Sequence, residues 1–120
     1  MDLDKIDRLV ADHVMKWVMG DEWWPYWFDL DGTKMVNIDD WHPTRSWEHT
    51  GMVIERMESK YHWVIKTPFR LGEKYWAGLT PLGVTGWNGK PDYYIEADTL
   101  TVAICLAALA AKGVDIENHE

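Results

Sequence analysis

"DTLTVAICLAALAAKG", residues 98–113, decides the architecture of this chain. Thr99 has the side chain of a helix N-cap, and Gly113 suits the left-handed stop that follows a last helical turn. Between them Val102, Ala103, Ile104, Cys105, Leu106, Ala107, Ala108 and Leu109 leave no polar face. Such a helix must be covered on nearly every side. The apolar run 102–111 is about half the length that crosses a bilayer. The cover must therefore come from protein.

Working outward, the residues before this helix read as strands. Tyr61, Trp63 and Ile65 alternate with His62, Val64 and Lys66, which predicts a strand over 61–69. Two more are predicted over 74–80 and 93–97, joined by a Gly/Pro-rich loop with Asn88-Gly89 as its turn. Upstream, the spacing of Trp47, Thr50, Ile54, Met57 and Tyr61 predicts a helix over 45–60. Gly51 lies inside it at a cost of about 1 kcal/mol against Ala, so a packing reason for it is expected. A short hairpin precedes that helix, with strands over 26–29 and 34–38 around the turn signal Asp31-Gly32. The chain opens with an amphipathic helix over 3–18, whose stripe is Leu3, Ile6, Val10, His13, Val14 and Trp17, with Asp2 or Asp4 as cap and Gly20 as stop. On this reading Asp4, Asp7, Arg8, Asp12 and Lys16 lie on the wet side. The order is α-ββ-α-βββ-α. It predicts an α+β fold: an α/β/α layered sandwich with three helices and a mainly antiparallel sheet of about five strands, forming one domain over 1–120.

Composition narrows the function classes. The formal net charge is −8, which repels nucleic-acid polymers and anionic membrane surfaces but leaves room for a small basic pocket holding one phosphorylated ligand. Cys105 is the only cysteine, so no intramolecular disulfide forms, and the acidic N-terminus lacks the pattern of a signal peptide. A cytoplasmic protein is expected.

The stretches "KIDRLVADHVMKW", "WHPTRSWEHTGMVIERM" and "EADTLTVAICLAALAAKGV", in that order, resemble a family of small phage proteins, the phage ABA sandwich domain. The resemblance implies an α/β/α layered fold and a phage or prophage origin. It implies no catalytic motif. The aromatic segment 23–28 and the loop 80–92 lie outside it, so they are where this member's own function is sought.

No motif for chemistry is present. Asp39, Asp40, His42, His49 and His62 lack any recognised metal-ligand spacing, and no metal or cofactor is expected. Cys105 lies among apolar neighbours, which disfavours a thiolate. A hydrolase using His42, His49 and Asp39 or Asp40 is the enzymatic alternative. The tryptophans carry more signal, nine in 120 residues. Along a strand Tyr26 and Phe28 share one face and Trp27 takes the other, and Tyr26 and Phe28 are expected in the core. Trp23, Trp24, Trp41 and Trp87 flank loops, where an exposed ring often marks an interface. With His42 and Arg45 they form the candidate recognition set. The expected function is binding: of a host or phage protein, of a second copy in a homodimer, or of a small nucleotide-like ligand that stacks on the rings.

Overall fold

The computed structural model describes residues 2–68, 70, 72–82 and 93–114. Helix α1 spans Leu3–Leu9, and Asp2 caps it by accepting from the Lys5 backbone N–H. The helix does not continue unbroken to residue 18. It widens into a π turn over Val10–Val14, and the chain then reverses through Lys16, which takes a left-handed φ of 61°. The stop is therefore Lys16 and not Gly20, and it frees Val18–Met19 to form a strand, β1, that periodicity did not predict.

β1 pairs antiparallel with β2 (Tyr26–Phe28), which pairs with β3 (Lys34–Asn37). A 3-10 turn over Ile38–Asp40 leads through the 41–46 loop to α2, Trp47–Glu58, capped by Ser46. β4 (Tyr61–Lys66), β5 (Tyr75–Pro81) and β6 (Tyr93–Ala97) follow as an antiparallel meander, and α3, Leu100–Ala111, closes the chain.

The α+β class, the three helices and the antiparallel pairing match the expectation, but the single sheet of about five strands does not. The described strands form two three-stranded sheets, β1-β2-β3 and β4-β5-β6. The unpredicted β1 supplies the missing neighbour of β2, so the first hairpin completes a small sheet of its own. In the second sheet, Trp63, Leu79 and Tyr93 form one cross-strand row, and Ile65, Ala77 and Ile95 the next. This apolar face packs on α2 and α3. The opposite face presents His62, Lys66, Trp76, Tyr94 and Glu96, so the helices cover one side of this sheet.

α3 is the axle of the core. Every residue from Thr101 to Leu109 is buried. The second sheet lies on one flank, and α2, α1 and the π turn surround the rest. Thr99 caps the helix through the Val102 N–H, and Gly113 takes the left-handed φ of 79° that ends it. The apolar circumference of α3 is thus covered within one chain.

In α2 the buried face is Thr50, Val53 and Met57, while Trp47 is 62% exposed. Of the predicted stripe, Thr50 and Met57 are buried and Ile54 and Tyr61 half-buried, and only Trp47, the first helical residue, projects beyond the core. Gly51 has no packing role, because nothing lies within 4 Å of a Cβ built there. Gly51→Ala is accordingly expected to stabilise the protein by about 0.5–1 kcal/mol, read as a higher denaturant midpoint with an unchanged slope.

Candidate functional site

The first candidate region is built on Asp7, which the helical stripe placed on the wet side. Its carboxylate is buried, with a side-chain exposure of 4%. The loop 41–46 folds around it. Oδ1 accepts the Thr44 backbone N–H at 2.9 Å, and the Asp7 carbonyl accepts the Trp41 indole N–H at 2.9 Å. Three further bonds hold the loop. The Thr101 hydroxyl donates to the Thr44 carbonyl at 2.6 Å, the Thr50 hydroxyl donates to the Pro43 carbonyl at 2.6 Å, and the His42 N–H donates to His49 Nδ1 at 3.0 Å. The loop is thus bonded to α1, α2 and α3.

Trp41 belongs to this clip and not to a surface. It is 2% exposed and packs edge-on against Trp17 at 4.7 Å and beside His49 at 4.9 Å. A ring so enclosed offers no face to a partner or a base. His42 and Arg45, in contrast, reach the surface. One Arg45 nitrogen, Nη2, lies 2.6 Å from Asp4 Oδ1, 3.4 Å from Asp7 Oδ2 and 2.9 Å from His42 Nδ1. A guanidinium only donates, and Nη2 lies among the two carboxylates and the imidazole.

Asp4, Asp7 and His42 also have the geometry of a metal triad, with one ligand atom from each within 4.8 Å of the others. Arg45 Nη2 reaches all three, so a metal ion would have to displace a cation already in place. Of the residues in the hydrolase alternative, His42 and Asp39 line a common recess of about 130 Å³. Asp40 and His49 are not in that lining. His49 uses Nδ1 to hold the loop, and burial lowers its pKa against the partly opposing charge of Glu48. Burial likewise pushes the Cys105 thiol up, which leaves it inert at neutral pH.

The second candidate region is the turn between β1 and β2. Trp23 is 82% exposed and Trp24 is 64% exposed. Their backbone is nonetheless pinned. Asp21 Oδ1 accepts both the Trp23 and Trp24 N–H groups at 3.0 Å, and the Tyr26 N–H donates to the Trp24 carbonyl at 2.8 Å. Gly20 is required here for space. A Cβ on it would overlap the Trp24 carbonyl oxygen and lie 2.9 Å from the Phe28 ring. Behind the turn the strand faces are the reverse of the expectation. Trp27 is buried, in a row with Met19 and Val36, while Tyr26 and Phe28 are half-buried on the other face. The ammonium of Lys34 sits 4.6 Å over the Tyr26 ring.

The expected set therefore divides. Trp23 and Trp24 stand on one rigid turn, His42 and Arg45 join the Asp7 cluster, Trp41 is core, and Trp87 lies outside the described residues. Asp7 had no sequence signal, since an acid on a short amphipathic helix reads as solvated. Only the loop brought against it from residues 41–46 makes it central.

Two outcomes test the clip. Asp7→Ala strands the Thr44 N–H and should cost about 1–3 kcal/mol in denaturant melts, whereas Asp4→Ala, which loses only an exposed pair, should cost less than about 1 kcal/mol. The second concerns pH. His49 binds its proton less readily folded than unfolded, so the stability from its neutral form is complete above its ordinary value of 6.5 and is lost as pH falls through the lower folded value. The melting temperature should fall as the pH drops below about 6.5, and His49→Asn, which can still accept the His42 N–H, should flatten that fall.

Among known proteins, a family model described as the phage ABA sandwich domain matches residues 8–109. No curated protein and no solved structure matches the chain. No helix among the described residues is long and apolar enough to cross a membrane. The matched segment runs from α1 through both sheets to the last buried leucine of α3, so the likeness covers the packed core as well as the order of elements, and the chain belongs to the phage ABA sandwich domain family.

Proposed function

We propose that this phage-family protein acts by binding a protein partner through Trp23 and Trp24. The observation that carries the reading is the combination of exposure and rigidity at the 21–24 turn. Two neighbouring indoles project into solvent from a backbone held by Asp21 and closed by Gly20. Each ring covers roughly 150–250 Å² when buried, and large rings immobilised in advance lose little entropy on binding. Exposed Val18 and Met19 on β1 extend the apolar surface beside the turn. A second copy of the chain is one partner that fits this description, and a host or phage protein is the other. A nucleotide-like ligand held between loop tryptophans is less well supported, because Trp41 is committed to the core.

The test separates binding from folding. Trp23→Ala and Trp24→Ala should each shift stability by no more than about 0.5 kcal/mol, as exposed substitutions do. Sedimentation of the wild-type chain then reports self-association, and affinity capture from phage-infected cells reports a different partner. The double variant should lose whichever complex forms, by roughly 30-fold or more in affinity, the scale of an interface hot spot. Retention of that complex by a folded double variant, or a large loss of stability from either single change, removes the reading.

A further inference from the structure

The chain is strongly acidic, yet one cleft gathers four cations. Lys16, Arg56, Lys60 and Lys112 line a cleft of about 640 Å³ where the ends of the π turn, α2 and α3 converge. Among the described residues Glu55 is the one acid in the lining, and Val14, Met15 and Met52 supply its apolar part. The volume lies within the range of small-molecule sites.

We infer that this cleft is a binding site for a small phosphate-bearing anion, separate from the Trp23–Trp24 surface. Three observations support the assignment. First, the cations are not paired off: among the described residues none of the four forms a salt bridge. Second, helix ends do not account for them. Cations do favour helix C-termini, but each terminus carries only about half a negative charge. Three termini together offset less than half of four positive charges, and the single Glu55 still leaves an excess. The mutual repulsion is felt at Lys112, whose pKa is lowered by burial and then by Lys60, Lys16 and Arg56. Third, Lys16 holds its left-handed φ of 61° in a position where glycine would be the unstrained choice. A strained backbone that delivers a fourth cation to a repulsive cluster makes sense when an anion neutralises it.

The chemistry limits the ligand. Three ammonium groups and one guanidinium suit phosphate oxygens, with Arg56 able to take two of them at once. Among the described residues no aromatic ring lines the cleft, so a base would find no described ring to stack on. Of the apolar lining, Val14 and Met15 are buried in the core, and part-exposed Met52 suits a short aliphatic portion. The class is therefore a small phosphorylated metabolite with two or more negative charges, and not a nucleic-acid strand, which the net charge repels.

The experiment is a calorimetric titration of the full chain with inorganic pyrophosphate at low salt. It should show saturable one-to-one binding, weakened as salt is raised, together with a rise in melting temperature. Arg56→Ala combined with Lys60→Ala should lower the affinity at least tenfold while the unliganded protein melts no lower, since repulsion is relieved. Glu55→Gln should tighten binding several-fold, an effect that a structural role for the cluster would not produce. Lys34→Ala, a cation outside the cleft, should leave affinity unchanged. Absence of saturable binding, or equal losses from Lys34→Ala and the double variant, overturns the inference. So does binding that appears only after residues 115–120 are removed, which would assign the cleft to the chain's own Asp115, Glu117 and Glu120.

Discussion

A helix with no polar face cannot lie at a surface, and the rest of this protein is arranged to enclose one. Residues Thr101–Leu109 of α3 are buried all the way round. Its alanines at 103, 107 and 108 keep the helix narrow, so sheet and helices can approach closely on different sides. The second sheet turns its Trp63, Leu79, Tyr93 row toward α3, and His62, Lys66, Tyr94 and Glu96 are exposed on its other face. One covered face suffices for an antiparallel sheet, which tolerates water on the other. The layering follows from the needs of α3 more than from any need of the strands.

Enclosing α3 on its remaining sides requires α1 to be held in place, and a seven-residue helix cannot hold itself. The Asp7 clip does this with polar chemistry inside an apolar core. Its carboxylate and carbonyl receive the Thr44 amide and the Trp41 indole, while Thr101 of α3 bonds the same loop from the far side. A buried carboxylate is costly unless its lone pairs are used. Here a backbone N–H and the Arg45 guanidinium use them, and Asp4 and His42 complete the shell around that guanidinium. The resulting group of acids and imidazole has the shape of a metal site, but its cation comes from the chain itself.

The two surface features left over differ in kind. The Trp23–Trp24 turn exposes two indoles on a hydrogen-bonded backbone, which suits another protein surface. The cleft of Lys16, Arg56, Lys60 and Lys112 is concave and cationic, which suits a small anion. Both arise where the amphipathic helix expected over residues 3–18 stops early. The reversal at Lys16 sends β1 back along β2, creating the turn, and places a cation at the mouth of the cleft.

The α+β class, the caps at Asp2 and Thr99, the β4–β6 strands and the burial of α3 were legible in the sequence, because each rests on local periodicity or local capping chemistry. The segment 93–97 has the same bounds as a reading and as a strand. What local pattern could not carry was any feature made by residues distant in the chain. Asp7 looks like every other acid on an amphipathic helix until residues 41–46 close over it. Trp41 and Trp23 both flank loops, and only the packing of Trp17 and His49 on one of them separates core from surface. The four cleft cations stand at positions 16, 56, 60 and 112, each an ordinary basic residue near a helix end. Side-chain type and spacing determined which elements form. The tertiary structure decided which charges meet and which rings face water, because burial and Coulomb interaction depend on distance in space, and sequence separation does not record it.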